Sequence, residues 1–396
     1  MIQVGLIGIN GYGKVHLELI ERWKQQGFLN LKAVTDPCLA DQSASRKHFE
    51  EKGVLTFAHY RDMLSRIGNE LDLCIIPTPI HLHATMAIDC MEAGAHVLLE
   101  KPLAATLEDG KAIIDKAKEL DRLLMIGFQE ITSIPNLQIK QKLVNGEIGK
   151  IKSISCYAVW PRPLNYFNRN NWAGKLVVDE LPVRDSPLQN ALSHFLHLML
   201  FWAGKNTPEV ASLAKLEAEA YRAFDIESFD TACIRGITPD GIEILFACTH
   251  AGDQKVEPHI QVIGEKGRID WYREKYALCD LEKDFEIIDL QEDKKRSNDI
   301  MFASMINRIK GNTSIICDGE MALPHLALIS AIHESVRIHT IPEEFKYSFN
   351  IDGAPAVAIN GIAPLVRSAC DRRMLFSEMG IPWRTAKTDC LLRYPD

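Results

Sequence analysis

Short apolar runs alternate with helical patterns through the first 127 residues, and this alternation constrains the fold more than any other feature of the chain. Val4–Ile9, Leu31–Thr35, Val54–Phe57, Leu71–Ile76, His96–Leu99 and Leu123–Gly127 read as strands. Between the first two, Gly13–Trp23 places Val15, Leu19 and Trp23 on one helical face at spacings of four. Asp41–Lys52 reads as a polar helix and Tyr60–Arg66 as a short one. A helix from His83 stops at Gly94, a natural C-cap residue. Thr106 starts the next, with Asp109 three residues on, the spacing of a capping box. Apolar strands separated by helices predict a parallel sheet covered on both faces.

The pattern changes after Phe128. Ile151–Trp160 alternates like an antiparallel strand. Thr231–Gly236 and Ile242–His250 flank Pro239-Asp240-Gly241, and Ile260–Ile263 and Arg268–Tyr272 flank Gly264-Glu265-Lys266-Gly267; both read as hairpins. Ala191–Ala203 is apolar but too short to span a bilayer, so it reads as a buried helix. A late helix is expected over Glu320–Arg337. The tail, Tyr347–Asp396, is expected to pack through Phe376, Ile381 and Trp383. These elements predict an α/β Rossmann domain over 1–127, and an α+β domain with an open, mostly antiparallel sheet over 128–396. A chain of 396 residues is long enough for two cores.

A net charge of −8 opposes nucleic acid and anionic membranes as partners. Residues 1–8 read directly as a strand, without the basic start and apolar run of a secretory signal. The ten cysteines include no Cys-x-x-Cys pair and no zinc-site spacing, a pattern that suits a reducing cytoplasm.

Gly8-Ile9-Asn10-Gly11-Tyr12-Gly13 lies between the first strand and the first helix. Gly8 allows a tight turn, Gly11 lets the backbone approach a pyrophosphate, and Gly13 allows helix to pack on sheet. The helix N-terminus then faces the phosphates. Asp36, ending the second strand, is placed to bind ribose hydroxyls and would repel a 2′-phosphate, so NAD is expected rather than NADP. Arg46 is the nearby cation able to approach such a phosphate.

Asp72–His83 reads Asp-Leu-Cys-Ile-Ile-Pro-Thr-Pro-Ile-His-Leu-His, and after a helix Gly94–Leu103 reads Gly-Ala-His-Val-Leu-Leu-Glu-Lys-Pro-Leu. With Gly127-Phe128-Gln129 and Gly146-Glu147-Ile148-Gly149, these stretches resemble the Gfo/Idh/MocA family, which includes glucose-fructose oxidoreductase and inositol dehydrogenase. The resemblance covers roughly the first 340 residues by element order and leaves the tail unexplained. It implies a cofactor site formed by the glycine loop (Gly8, Asn10, Gly11, Tyr12, Gly13), Asp36, Pro77, Thr78, Glu100, Lys101 and Gln129. His81 and His83, which follow the fourth strand, are expected to border the nicotinamide. Glu100-Lys101-Pro102 matches the family's Glu-Lys-Pro motif, and Lys101 would hydrogen-bond a substrate hydroxyl and favour its alkoxide. Pro102 makes a cis peptide possible.

The family's second motif, Asp-x-Gly-x-His-x-x-Asp on a helix, aligns with Asn190-Ala191-Leu192-Ser193-His194-Phe195-Leu196-His197. His194 matches the catalytic histidine and would share a helical face with Asn190. Asn190, Leu192 and His197 depart from the motif. An asparagine orients by hydrogen bonding but adds no charge, so proton transfer would rest on Lys101 and His194. His194 and His197, three apart, lack an evident third metal ligand, and no metal is expected.

Tyr166–Lys175 reads Tyr-Phe-Asn-Arg-Asn-Asn-Trp-Ala-Gly-Lys, a composition suited to sugars: rings stack on apolar sugar faces, while amides and arginine bond hydroxyls. Tyr166, Arg169, Asn171, Trp172 and Lys175 are the substrate candidates, together with Lys101, Asn190, His194 and His197. The leading expectation is an NAD-dependent dehydrogenase of a sugar, sugar acid or cyclitol. The alternatives are an NAD-dependent glycosidase of the same fold and a non-catalytic NAD- or sugar-sensing regulatory protein. By resemblance, the open sheet would form a homodimer or homotetramer.

Overall fold

Strand β1 (Ile2–Ile7) runs through the middle of a six-stranded sheet with Val4 and Leu6 wholly buried, which is why its sequence is apolar almost throughout. The sheet continues with β2 (Leu29–Thr35), β3 (Leu55–Phe57), β4 (Leu73–Ile76), β5 (His96–Leu99) and β6 (Leu124–Ile126) in the spatial order β3-β2-β1-β4-β5-β6. Every pair is parallel. This is the doubly wound order, whose reversal beside β1 opens a crevice at the carboxyl ends of the strands. The connecting helices are α1 (Gly13–Gln25), α2 (Ala44–Glu51), α3 (Tyr60–Ile67), α4 (His83–Glu92) and α5 (Leu107–Glu119). At α5 the Thr106 hydroxyl oxygen accepts the Asp109 N–H, as the spacing predicts. This computed structural model describes residues 1–40, 44–273, 275–280, 286–289 and 297–394. The expected start of the second helix, Asp41–Ser43, and the last two residues of the tail lie outside the described residues.

The chain divides into two units, Met1–Thr132 with Arg296–Leu323, and Ser133–Lys295 with Pro324–Asp396. The expected second domain, 128–396, is therefore interrupted by a segment of the first unit. That segment carries a helix absent from the sequence reading. The chain's helices α6 (Ile134–Val144), α7 (Leu164–Phe167) and α8 (Ser193–Ala203) precede it as α9 (Ser297–Ile309). Its Met301, Phe302, Met305 and Ile306 enter the same core as Leu6, Leu19 and Ile20. Burial of that apolar stripe returns the segment to the first sheet.

In the second unit β7 (Ile151–Val159) is the hub of a ten-stranded sheet. After the two-residue strands β8 (Val177–Val178) and β9 (Leu181–Pro182) come β10 (Lys215–Arg222), β11 (Thr231–Ile237), β12 (Glu243–Thr249), β13 (Val256–Gly264), β14 (Gly267–Tyr272), β15 (Lys275–Asp280), β16 (Glu286–Asp289) and β17 (His339–Thr340). The order is β16-β15-β14-β13-β7-β12-β11-β10-β17, with only β7–β12 and β10–β17 parallel. The late helix α10 spans Gly319–Ser335. In the tail, β18 (Lys346–Ile351) and β19 (Ala354–Ile359) form a hairpin, α11 (Ile362–Arg372) covers the sheet, and β20 (Thr388–Asp389) pairs with β10. The tail packs as expected: Phe376 and Trp383 close on Tyr221, with the Trp383 ring centroid 5.0 Å from that of Tyr221.

Candidate active site

The turn between β1 and α1 depends on its glycines. Gly8 and Gly11 have φ of 99° and 55°, the left-handed region. A Cβ on Gly13 would lie 2.3 Å from the Gly8 carbonyl oxygen, so only glycine lets α1 begin this close to the strand. Asp36 follows β2 and draws the turn together. Its carboxylate accepts the Ile9 N–H at 3.1 Å, the Asn10 amide at 3.3 Å and the Cys38 N–H at 3.0 Å. Asp36 thus caps as well as facing the loop, and its four lone-pair sites leave room for a ribose hydroxyl. The Thr78 hydroxyl, whose methyl group stands beside Gly8, is buried without a partner among the described residues. An orphaned polar atom, positive-φ glycines and a carboxylate at one crevice fit a dinucleotide. Arg46 is turned to Glu50, at 2.8 Å, which fits NAD rather than NADP.

The Glu100–Lys101–Pro102 turn leaves β5 at the carboxyl edge of the sheet, and the Lys101–Pro102 peptide is cis. Two buried histidines hold it. His16, on α1, is fully buried and meets the Glu100 carboxylate at 2.9 Å. The other Glu100 oxygen accepts the Lys101 N–H at 3.2 Å. Glu100 fits because position 127 is glycine; a Cβ there would stand 2.9 Å from its carboxylate oxygen. His83 is also wholly buried, its Nδ1 2.9 Å from the Pro102 carbonyl and its Nε2 3.0 Å from that of Thr78. Burial pushes its pKa below the ordinary histidine value, against the pull of the two carbonyls.

These contacts give two of the expected cofactor residues a place in the protein. Both nitrogens of His83 face carbonyls, of which the neutral ring's single N–H bonds one, so it stands between the loop after β4 and the turn after β5. Glu100 is occupied by His16 and the Lys101 backbone, so it supports Lys101 from behind. Asn10, Gly11 and Tyr12 are exposed on the loop, while Pro77, Thr78, His81, Lys101 and Gln129 are half-buried within the same unit.

In the second unit, Asn190 lies in the turn before α8, which begins at Ser193. The expected common helical face is therefore absent: the Asn190 N–H bonds the Ser186 carbonyl at 2.9 Å, within a tight turn. The Asn190 amide donates to Asp185 at 2.9 Å, and that buried carboxylate also accepts the Gly174 N–H at 2.7 Å. A negative charge thus stands beside Asn190 although the motif's aspartate is missing. His194 is half-buried. His197, the other expected substrate residue of this segment, is wholly buried, its ring 6.3 Å from that of His325.

The Tyr166–Lys175 loop turns inward at Tyr166. Tyr166, Asp185, Ser186 and His250 line one recess. The Arg169 guanidinium lies 3.6 Å from the Tyr166 ring centroid and 5.2 Å from that of Trp172. Lys175 is exposed and paired with Glu227 at 2.8 Å, and Asn171 is exposed. The sequence reading missed Arg162, whose guanidinium stands 4.5 Å from the same Tyr166 ring, and His250. It also missed His16. The repeated Trp160-Pro161-Arg162-Pro163 punctuation after β7 was the available signal for Arg162; a buried histidine in a helix offers none.

Residues 2–128 match the family model described as oxidoreductase family, NAD-binding Rossmann fold, and residues 136–270 match the GFO/IDH/MocA C-terminal domain. Levoglucosan dehydrogenase of Pseudarthrobacter phenanthrenivorans is 31% identical over 159 residues, 38% of this chain and 39% of that protein. An alpha-N-acetylgalactosaminidase of Shewanella oneidensis is 34% identical over 133 residues, 32% of this chain and 28% of that protein. The matched stretches thus span well under half of these relatives. In fold, the chain is similar to the WlbA dehydrogenase of Bordetella pertussis, solved with NADH and UDP-GlcNAcA, with a TM-score of 0.70 at 24% identity over 84% of this chain and 95% of that one. By both of its domains, this chain belongs to the Gfo/Idh/MocA oxidoreductase family.

Proposed function

We propose that the chain is an NAD-dependent dehydrogenase that oxidises a hydroxyl-bearing carbon of a sugar, sugar acid or cyclitol. The observation that carries this reading is the placement of Lys101. It leaves β5 at the carboxyl edge of the parallel sheet, and is linked through Pro102, His83 and Thr78 to the glycine turn. When bound, NAD supplies the hydride acceptor. Lys101 donates to the substrate hydroxyl and favours its alkoxide. Glu100 and His83 hold the turn that aims Lys101. His194 accepts the hydroxyl proton, and Asn190, anchored on Asp185, orients the group it meets. The dehydrogenases among the relatives support this assignment. Lys101→Ala tests it: oxidation by NAD falls by orders of magnitude, whereas an unchanged rate overturns the role.

A second reading follows from the N-acetylgalactosaminidase relative. A glycosidase that recycles its NAD would cleave a glycoside without net NADH, so the assay reads both signals. The open sheet supports a homodimer or homotetramer, which light scattering of a monomer at micromolar protein would refute. Among the described residues nine cysteines are free thiols, all but Cys38 buried, which supports a reducing, cytoplasmic setting.

A further inference from the structure

Two guanidinium groups share the ring of Tyr166, Arg169 at 3.6 Å and Arg162 at 4.5 Å from its centroid. Neither forms an ion pair among the described residues. Arg169 bonds the Tyr166 carbonyl. The Arg162 guanidinium makes no hydrogen bond there, and its Nε is buried without an acceptor. Cation–π contact orients both planar forks, but two like charges on one ring repel, and a buried donor without an acceptor is costly. Arg235 shows the ordinary arrangement in the same unit, paired with Glu217 and Glu378 at 2.6 and 2.7 Å.

Asp185 lines a recess together with Tyr166, and its carboxylate accepts the Gly174 N–H and the Asn190 amide. It does not pair with either arginine. His250 completes the recess. Its Nδ1–H donates to the Trp160 carbonyl at 2.8 Å, which leaves Nε2 as an acceptor. The Tyr166 ring thus carries two cations without ion pairs among the described residues, and the recess that it lines offers an acceptor suited to a hydroxyl beside Asp185, the partner of the Asn190 amide.

We propose that Arg162 and Arg169 form a subsite for an anionic oxygen group, a carboxylate or a phosphate, carried by the sugar-like substrate. The inference rests on the reading of a sugar-like substrate given above and narrows it to acidic sugars. Planar guanidinium groups bind either anion through paired N–H donors, and the buried Nε gains its acceptor on binding.

The test is calorimetric titration of the full chain, with NADH present, against D-gluconate and D-glucuronate, D-glucose 6-phosphate, and neutral D-glucose. The expected result is that one anionic class binds at least roughly tenfold tighter than D-glucose, with affinity falling as salt rises. The carboxylate and phosphate arms tell the two sources apart. Arg162→Met and Arg169→Met each weaken that binding roughly 10- to 100-fold and reduce the preference for acid over neutral sugar. Arg162→Lys restores part of it. Thermal unfolding checks each variant; if Arg162→Met does not fold, the exposed Arg169 decides. No anion preference, or anion affinity unmoved by both substitutions, overturns the inference. An acid that binds through the arginines without being oxidised leaves the subsite standing and overturns the dehydrogenase reading. Lys101-dependent oxidation with no preference for acids does the reverse.

Discussion

His16 Nε2 lies 2.9 Å from Glu100 Oε1, and both side chains are buried beneath the Lys101 turn. The second Glu100 oxygen holds the Lys101 N–H. Removing the carboxylate strands a buried ring and frees the turn. Glu100→Ala should destabilise the protein by about 3 kcal/mol in urea unfolding, and lower kcat more than it raises KM. Glu100→Gln keeps the shape and should cost less. Equal effects of the two would contradict this account.

His83 supports the same turn from the side. His83→Ala leaves the carbonyl that takes the ring's N–H, that of Thr78 or of Pro102, without its buried donor, at a cost of about 1–3 kcal/mol. Because the ring acts on Lys101 through the backbone, the variant should bind NADH with near-normal affinity and turn over slowly. Loss of NADH binding with retained kcat would instead make His83 a cofactor contact.

The glycine turn distinguishes steric from conformational need. Gly13→Ala drives a Cβ to 2.3 Å from a backbone oxygen, which cannot yield without moving the loop. Gly11→Ala meets nothing within 4 Å and carries only the strain of φ 55°, about 1–2 kcal/mol. Without cofactor, Gly13→Ala should lower the melting temperature more. A ranking in the opposite order would contradict the geometry.

His250 predicts a pH effect. Burial, then the Arg162 and Arg169 charges, push its pKa down to about 3. In the unfolded chain it returns to about 6.5, so between these values the unfolded state binds more protons and stability falls with falling pH. His250→Gln should flatten that acid limb in denaturant titrations from about pH 7 to pH 4. An unchanged slope would place His250 in contact with water.

How much of this was legible in the sequence depends on range. The parallel sheet covered on both faces followed from Val4, Ile75 and Leu98 lying in unbroken apolar runs, because burial on both faces leaves no alternation; the spatial order of its strands did not. The glycine turn followed from spacing alone. The return of Met301 and Phe302 to the first core did not, since an amphipathic stripe does not say which core it covers. The buried partners of Lys101 escaped for the same reason: His16 and Glu100 are 84 residues apart, and nothing local pairs them. Asn190 was misplaced by one turn because motif spacing assumes a helix that here begins at Ser193.

The most direct test is to mix the purified chain with NAD and a panel of neutral sugars, sugar acids, sugar phosphates and cyclitols, and follow nicotinamide absorbance in the near ultraviolet, with Lys101→Ala in parallel. The account predicts NADH formation with at least one polyol and its loss in the variant. NADH binding without oxidation of any compound, or oxidation that survives Lys101→Ala, would contradict it.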